Sequence, residues 1–531
     1  MFTGTELWKE RISLYMQDLK VSDTHVIQTY MESPATLFKA LSDTARKAPD
    51  KEAIFDDFGH HATYSELLER TNQFASYLKE TFFIHRGSHV AMMMFNSLEF
   101  GIVFLALNKL GAVAIPLQTK YRQPEILALL EKSDADCIIT DAEFSDWFTP
   151  FKEKGTPVLI CGNRHSGYGL DGMNGIDPEA AADESRLCDD ALLVFTSGTT
   201  SRSKGVVIKN YNIMHAILSY EKTLQIKMDD ITVIPIPMYL ITGLVALFGL
   251  FICVGGTIYI QQFFHAEQVL NCVRDKNVTF IHASPTVFSL LLAKAQNYPE
   301  LPSLKKFACG SSNMPKEKIR QLHNWLPQSA FHTVYGLTET TSPGTIFPED
   351  AATSPYIGSS GIPIPGTLFK ILREDGGEAE PGEVGEIYVS GANILDSYYK
   401  METPLLQNNW LNTGDLGYFN EKGYLFIVDR KKDMINRGGE KICSFDVENE
   451  IYLIDGVLDA AVVGIPDEMY GEVPVAVIKA TPDFSMTEDE IRAFLKTRLA
   501  SYQVPVKIKF MDDIPITPNN KIDKKYIRTL F

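Results

Sequence analysis

The sequence predicts an α/β fold in two units, and three observations carry that reading. Between about residues 50 and 300, short β-rich runs alternate with helix-like segments, the pattern of mostly parallel strands covered by helices. Residues 360–430 instead carry short strands broken by Gly and Pro, the mark of a β-rich subdomain. Beyond the charged run Asp429-Arg430-Lys431-Lys432-Asp433, the chain has strand and helix signals of its own. A large N-terminal domain, 1–429, of layered α/β subdomains plus the β-rich subdomain is therefore expected, followed by a small α+β domain, 430–531.

The elements follow in order. His89–Met94 and Ala112–Leu117 read as buried strands either side of an apolar helical run at 100–110. Cys137–Thr140, Val158–Ile160 and Val278–Ile281 are further strands, and residues 161–190, rich in Gly, Asp, Ala and Ser, read as loop. Ile231 to Ile260 holds no charged residue, a length that would span a bilayer. Pro235, Pro237 and Gly255-Gly256 divide it, however, so a buried strand, a turn, a buried helix near 241–254 and another strand fit better. Glu386–Val389 and Gly423–Val428 belong to the β-rich part, and Ala460–Gly464 and Val473–Val477 to the last domain. There, Thr487 begins a capped amphipathic helix expected to run to Ala500.

Composition narrows the function. The 531 residues are 45% hydrophobic and 22% charged, as in a globular protein with a substantial core. With 50 Lys+Arg against 67 Asp+Glu, the net charge of −17 argues against broad nucleic-acid binding. Seven scattered cysteines without a C-x-x-C pair read as reduced thiols, hence a cytoplasmic protein. The N-terminus lacks the apolar core of a secretory signal, and no Cys/His cluster has zinc spacing.

The most informative run is Leu193-Val194-Phe195-Thr196-Ser197-Gly198-Thr199-Thr200-Ser201-Arg202-Ser203-Lys204-Gly205-Val206-Val207-Ile208. Two strand-like pieces flank a hydroxyl-rich basic loop whose N–H groups and Lys204 can surround phosphate oxygens. By itself such a loop is equally a solvated hairpin tip, and it lacks the G-x-x-x-x-G-K-[ST] spacing.

This run resembles the signature loop of the adenylate-forming enzymes, which include acyl-CoA synthetases and peptide adenylation domains, and further motifs follow in the family's order. Cys309-Gly310-Ser311-Ser312 matches its small-residue turn, and Tyr335-Gly336-Leu337-Thr338-Glu339 its Y-G-x-T-E element. Thr413-Gly414-Asp415 matches T-G-D, Asp429–Asp433 the interdomain hinge, and Pro515–Lys521 the C-terminal element with its lysine. The resemblance spans roughly residues 35–525. It implies that Thr196, Ser197, Gly198, Thr199, Thr200 and Lys204 bind phosphate, that Gly310, Ser311 and Ser312 form the turn between acyl pocket and adenine, and that Tyr335, Gly336 and Thr338 stack the purine and bind a phosphate. Asp415 would accept both ribose hydroxyls, Arg430 would reach the nucleotide, and Glu339 would hold Mg²⁺. Lys521, Thr196, Lys204 and Glu339 would be catalytic. Lys432 would be the hinge of a mobile C-terminal domain, and Gly438 and Gly439 would line a thiol tunnel after that domain rotates.

The implied cofactors and substrates are ATP, Mg²⁺, coenzyme A and a carboxylic acid. No acid side chain lies between Tyr239 and Ile260, where amino-acid-activating relatives place one, so an apolar fatty or aryl acid is expected. Tyr239, Leu240 and Ile241, with Gly310 to Ser312, would line its pocket. The chain stops soon after Lys521, so no carrier domain is expected; a separate carrier protein stays open as thiol donor, and so does a homodimer. Ser201 and Ser203 replace the family's glycine and proline, Leu240 a frequent histidine, and Asn520 a glycine. These departures leave open a binder of nucleotide without catalysis.

Overall fold

A computed structural model describes residues 1–21, 25–161, 176–196, 203–403, 406–517 and 521–531. Among these, two largely parallel sheets of nine and seven strands form the body of the protein. The larger has a parallel centre, Ala330–Tyr335, Lys306–Cys309, Phe280–Ala283, Ile231–Ile234, Thr257–Ile260 and Glu52–Asp56. The smaller runs Ser397–Tyr398, Gly205–Lys209, Asp190–Phe195, Val113–Pro116, His89–Met93, Cys137–Thr140 and Val158–Ile160. Its central strands Val113–Pro116 and Cys137–Thr140 are buried at every position, as strands covered on both faces must be.

The helix Leu98–Leu110 is buried throughout its length. It starts where Ser97 Oγ accepts the Phe100 N–H at 3.1 Å and stops at Gly111, whose φ of +67° suits glycine. The uncharged stretch 231–260 folds as a strand, a turn at the prolines, a helix and a strand; its helix opens with π geometry over Thr242–Gly249 and continues as Leu250–Val254. Among the described residues no helix is long and apolar enough to cross a membrane.

An antiparallel sheet containing Thr367–Leu372, Gly385–Gly391, Trp410–Phe419 and Leu425–Arg430 makes up the β-rich part. The last sheet, containing Ile435–Arg437, Glu440–Ile442, Val457–Asp467, Gly471–Ala480 and Lys507–Phe510, packs on its own apolar clusters, which begin at Ile435. Several boundaries differ from expectation, and the strand expected at 423–428 runs over Leu425–Arg430. The Thr487 helix, held by a full capping box, ends at Lys496, because Thr497 and Arg498 turn back onto Phe494 and Leu495 with tighter bonds. The strand expected at 278–281 is shifted to Phe280–Ala283, since Thr279 bonds to Asp230 and Ile231 at the sheet entrance.

Candidate active site

Neighbouring parallel strands of the larger sheet end side by side at Ala283, Cys309 and Tyr335, and at such carboxyl ends α/β sheets receive ligands. Beyond Cys309, Ser311 takes a left-handed φ of 74°, and a Cβ on Gly310 would lie 3.1 Å from the Val334 carbonyl oxygen. A Cβ on Gly336 would lie 3.1 Å from Thr340 Oγ1 and 3.3 Å from the Gly344 nitrogen. Both glycines thus let backbone and ligand approach where a side chain would not fit.

Tyr335 Oη donates to Asp415 Oδ2 at 2.7 Å, and Arg430 Nε lies 3.5 Å from Asp415 Oδ1. The antiparallel pairing sets Asp415 opposite Arg430 on neighbouring strands. Burial pushes the Asp415 carboxyl above its ordinary value against the pull of Arg430. Lys521 comes to the same place from the C-terminal domain, where Thr517 N donates to Lys521 O at 2.7 Å and Lys521 N to Thr517 Oγ1 at 3.3 Å. Its ammonium forms no ion pair among the described residues, although Asp415 and Glu339 act on it. Burial, aided by Arg430, lowers it to about 8. A cation placed in this way is completed by an anion from outside.

Thr196 closes the hairpin of Asp190–Phe195 and Gly205–Lys209, its N–H donating to Lys204 O at 3.0 Å. Ser197, Gly198, Thr199 and Thr200, with Ser201 and Arg202, lie outside the described residues, as does Asn520. Thr338 opens a short turn of helix, Thr338–Thr340, that carries Glu339. Tyr398 joins that carboxylate to the basic loop: its hydroxyl donates to Glu339 Oε1 at 3.0 Å, and its ring lies 4.6 Å from Lys204 Nζ. Glu339 Oε2 takes no hydrogen bond among the described residues, which suits a carboxylate that binds a cation.

Two cavities meet at this place. The smaller, about 90 Å³, is bordered by Leu240, Ile241, His282, Gly310, Ser311 and Lys521. The larger, about 440 Å³ and mostly apolar, is bordered by Phe95, Pro237, Tyr239, Phe264, Val287 and Ile516. Ile236 and Ser284 border both. Of the residues expected around the acid, Leu240 and Ile241 therefore face the smaller cavity and Tyr239 the larger, while Ser312 is exposed and borders neither. Lys432 sits in the turn between the sheets, 431–433. Gly438 and Gly439 form the tip of the Ile435–Arg437 and Glu440–Ile442 hairpin, with φ of 61° and 97°, and border neither cavity.

Sequence reasoning passed over Tyr398, Asn96 and His282. Asn96 clamps the proline corner: its amide donates to Ile236 O and Gln261 O at 2.8 and 3.0 Å, and its Oδ1 accepts Met238 N at 2.7 Å. A polar residue just past an apolar strand was the signal available for it.

The chain matches the family model of the AMP-binding enzyme over residues 41–399 and that of the AMP-binding enzyme C-terminal domain over 446–521. It is 32% identical to the 2-succinylbenzoate–CoA ligase of Oceanobacillus iheyensis, covering 91% of this chain and 97% of that one. It is 30% identical to a feruloyl-CoA synthase from an Amycolatopsis species, covering 92% and 97%. Among solved structures, ATP-bound MatB from Rhodopseudomonas palustris superposes with a TM-score of 0.84 at 26% identity, covering 94% of this chain and 99% of that one. The o-succinylbenzoate CoA synthetase of Bacillus subtilis in complex with its acyl-adenylate intermediate superposes with a TM-score of 0.79 at 28% identity, covering 92% and 97%. On sequence, motif order and fold alike, the chain belongs to the AMP-binding enzyme family.

Proposed function

We propose that the protein is an ATP-dependent acid–CoA ligase acting on a largely apolar fatty or aryl acid. The observation that carries this reading is the ammonium of Lys521, which has no ion pair among the described residues, feels the charges of Asp415 and Arg430, and borders the small cavity. A carboxylate entering that cavity attacks the α-phosphorus of ATP. The new carboxyl O–P bond forms as the bond to pyrophosphate breaks, and Lys521 stabilises the charge that builds on the α-phosphoryl oxygens. Asp415 accepts from the ribose, and Lys204 with its loop holds the leaving pyrophosphate. Mg²⁺ would be held by Glu339, where it would neutralise phosphate charge.

The second half-reaction is attack of a thiol on the acyl carbon, with AMP leaving. Lys521 borders the small cavity and Ile516 the large one, and both belong to the C-terminal segment, so one movement of the C-terminal domain clears both. We divide the chain into units 1–429 and 430–531 on this ground, with Lys432 the swivel and Gly438 and Gly439 brought in by rotation. CoA is the acceptor assigned here, a carrier protein being the alternative; the cytoplasm is the expected compartment, and either acceptor would serve a monomer or a homodimer.

Pyrophosphate release over fatty, aryl and amino acids, each with and without CoA, tests the reading. Multiple turnover only with an apolar acid and CoA is the expected result. Turnover that a carrier protein restores and CoA does not would change the acceptor. ATP binding without pyrophosphate release from any acid would overturn the ligase.

A further inference from the structure

His282 is the one buried histidine among the described residues with neither ring nitrogen hydrogen-bonded. His215, equally buried, meets Thr29 Oγ1 and the Pro365 carbonyl at 3.0 Å each, and His332 meets the Phe347 carbonyl at 2.8 Å. His282 is 1% exposed, sits on the strand Phe280–Ala283 and borders the small cavity. Its Nε2 lies 3.6 Å from where a Cβ on Gly310 would be. The Tyr220 ring, 5.5 Å away, holds one side of the imidazole. Two residues on, at the junction of the two cavities, Ser284 Oγ is also without a partner among the described residues, and the residue is 8% exposed. Buried polar groups are normally paired, because an unpaired one loses its bonds to water without replacement. Two such groups on one cavity wall point to a partner that arrives with the ligand.

The chemistry of that partner follows from the wall. Burial lowers His282 to about 3, so the ring is neutral and offers one N–H and one lone pair. A neutral imidazole beside a hydroxyl suits a hydroxyl or keto oxygen better than a second carboxylate, which would need a cation. Lys521 is the only cation bordering this cavity among the described residues, and the reaction uses it. His282 and Lys521 border the same small cavity, so a group that meets His282 lies near the carboxyl end of the acid. Resting on the ligase reading above, we propose that the acid carries a neutral hydroxyl or keto group close to its carboxylate, and that His282 and Ser284 select for it.

The test is pyrophosphate release by the full-length protein with shape-matched pairs of acids. Suitable pairs are β-hydroxyoctanoic or γ-oxooctanoic acid against octanoic acid, and ortho-hydroxyphenylpropanoic against ortho-methylphenylpropanoic acid. Wild type should favour the oxygen-bearing member of at least one pair by about tenfold or more in kcat/KM, since a site built to bond a polar group rejects the analogue lacking it. His282→Leu should bring that ratio to about one while the KM for ATP stays put, and His282→Gln should keep part of the preference. Ser284→Ala should narrow the ratio independently, so a His282→Leu chain that fails to fold does not end the test. A preference of wild type for the deoxygenated acid in every pair would overturn the proposal, as would equal losses for both members in His282→Leu. The ligase reading fails separately, and takes the proposal with it, if wild type binds ATP but releases no pyrophosphate with any of these acids.

Discussion

Tyr335 donates its phenolic hydrogen to Asp415 across 2.7 Å, joining the end of the parallel sheet to the strand Trp410–Phe419 of the β-rich sheet. The bond occupies one lone pair of one carboxylate oxygen, and an ionised carboxylate offers about four acceptor positions, enough to accept a vicinal diol as well. Loss of hydrogen bonds to a charged group costs about 1.5–3 kcal/mol each. Asp415→Ala is therefore expected to raise the KM for ATP by about tenfold to a hundredfold with little change in the KM for the acid. Tyr335→Phe, which leaves the carboxylate in place, should have the smaller effect. An unchanged KM for ATP in Asp415→Ala would remove that residue from the ribose.

Lys521→Ala should abolish acid-dependent pyrophosphate release while leaving thioester formation from supplied acyl-adenylate largely intact. The pH dependence follows from the sign of the shift. Burial lowers Lys521 to about 8, and the protonated form does the work, so kcat/KM for ATP in adenylation should be full below that value and fall as pH rises through it. Lys521→Arg stays charged throughout, so whatever activity it keeps should lack this alkaline limb. A wild-type profile flat to pH 10 would contradict the assignment.

How far the site was legible in the sequence depends on what each residue contacts. Asp415 and Lys521 stand in short ordered motifs, and the chain brings both to one place although more than a hundred residues separate them. Strands such as Cys137–Thr140 and Val158–Ile160 were readable to the residue, since both ends are marked by polar or turn residues. Tyr398 was not legible: its role comes from pairing with Val206 in the neighbouring strand, a contact that no local pattern encodes. His282 reads in sequence as an ordinary strand residue, and only the bonds missing around it set it apart. The division of Tyr239 from Leu240 and Ile241 between two cavities likewise follows from the turn at Pro237, which local periodicity does not describe.

Tyr398→Phe removes the hydroxyl that orients Glu339 but keeps the ring beneath Lys204. Freed from that bond, the carboxylate should hold a cation less well oriented, so the Mg²⁺ concentration for half-maximal pyrophosphate release should rise several-fold. A hydrogen bond to a charged group is worth about 1.5–3 kcal/mol, which bounds that rise at about tenfold to a hundredfold. Tyr398→Leu should add a loss in pyrophosphate affinity, because the cation–π contact goes as well. If Tyr398→Phe shifted the KM for the acid and not the Mg²⁺ dependence, the link to Glu339 would be structural only.

Lys432 occupies the turn between the last strand of the β-rich sheet, Leu425–Arg430, and the first strand of the C-terminal sheet, Ile435–Arg437. The turn is anchored on both sides of it: Lys431 N donates to Gly414 O at 3.0 Å, and Asp433 N to Arg430 O at 2.9 Å. The Lys432 N–H makes no backbone hydrogen bond among the described residues, so a proline there costs no such bond in this arrangement. It does fix φ near −65° and so restrains the swivel. Lys432→Pro should therefore slow thioester formation by about tenfold more than adenylation, a difference of about 1.4 kcal/mol between the two barriers. Single-turnover measurement of each half-reaction separates them, adenylation by pyrophosphate release and thioester formation by consumption of supplied acyl-adenylate. Equal slowing of both would mean that the swivel lies elsewhere in the 430–434 segment.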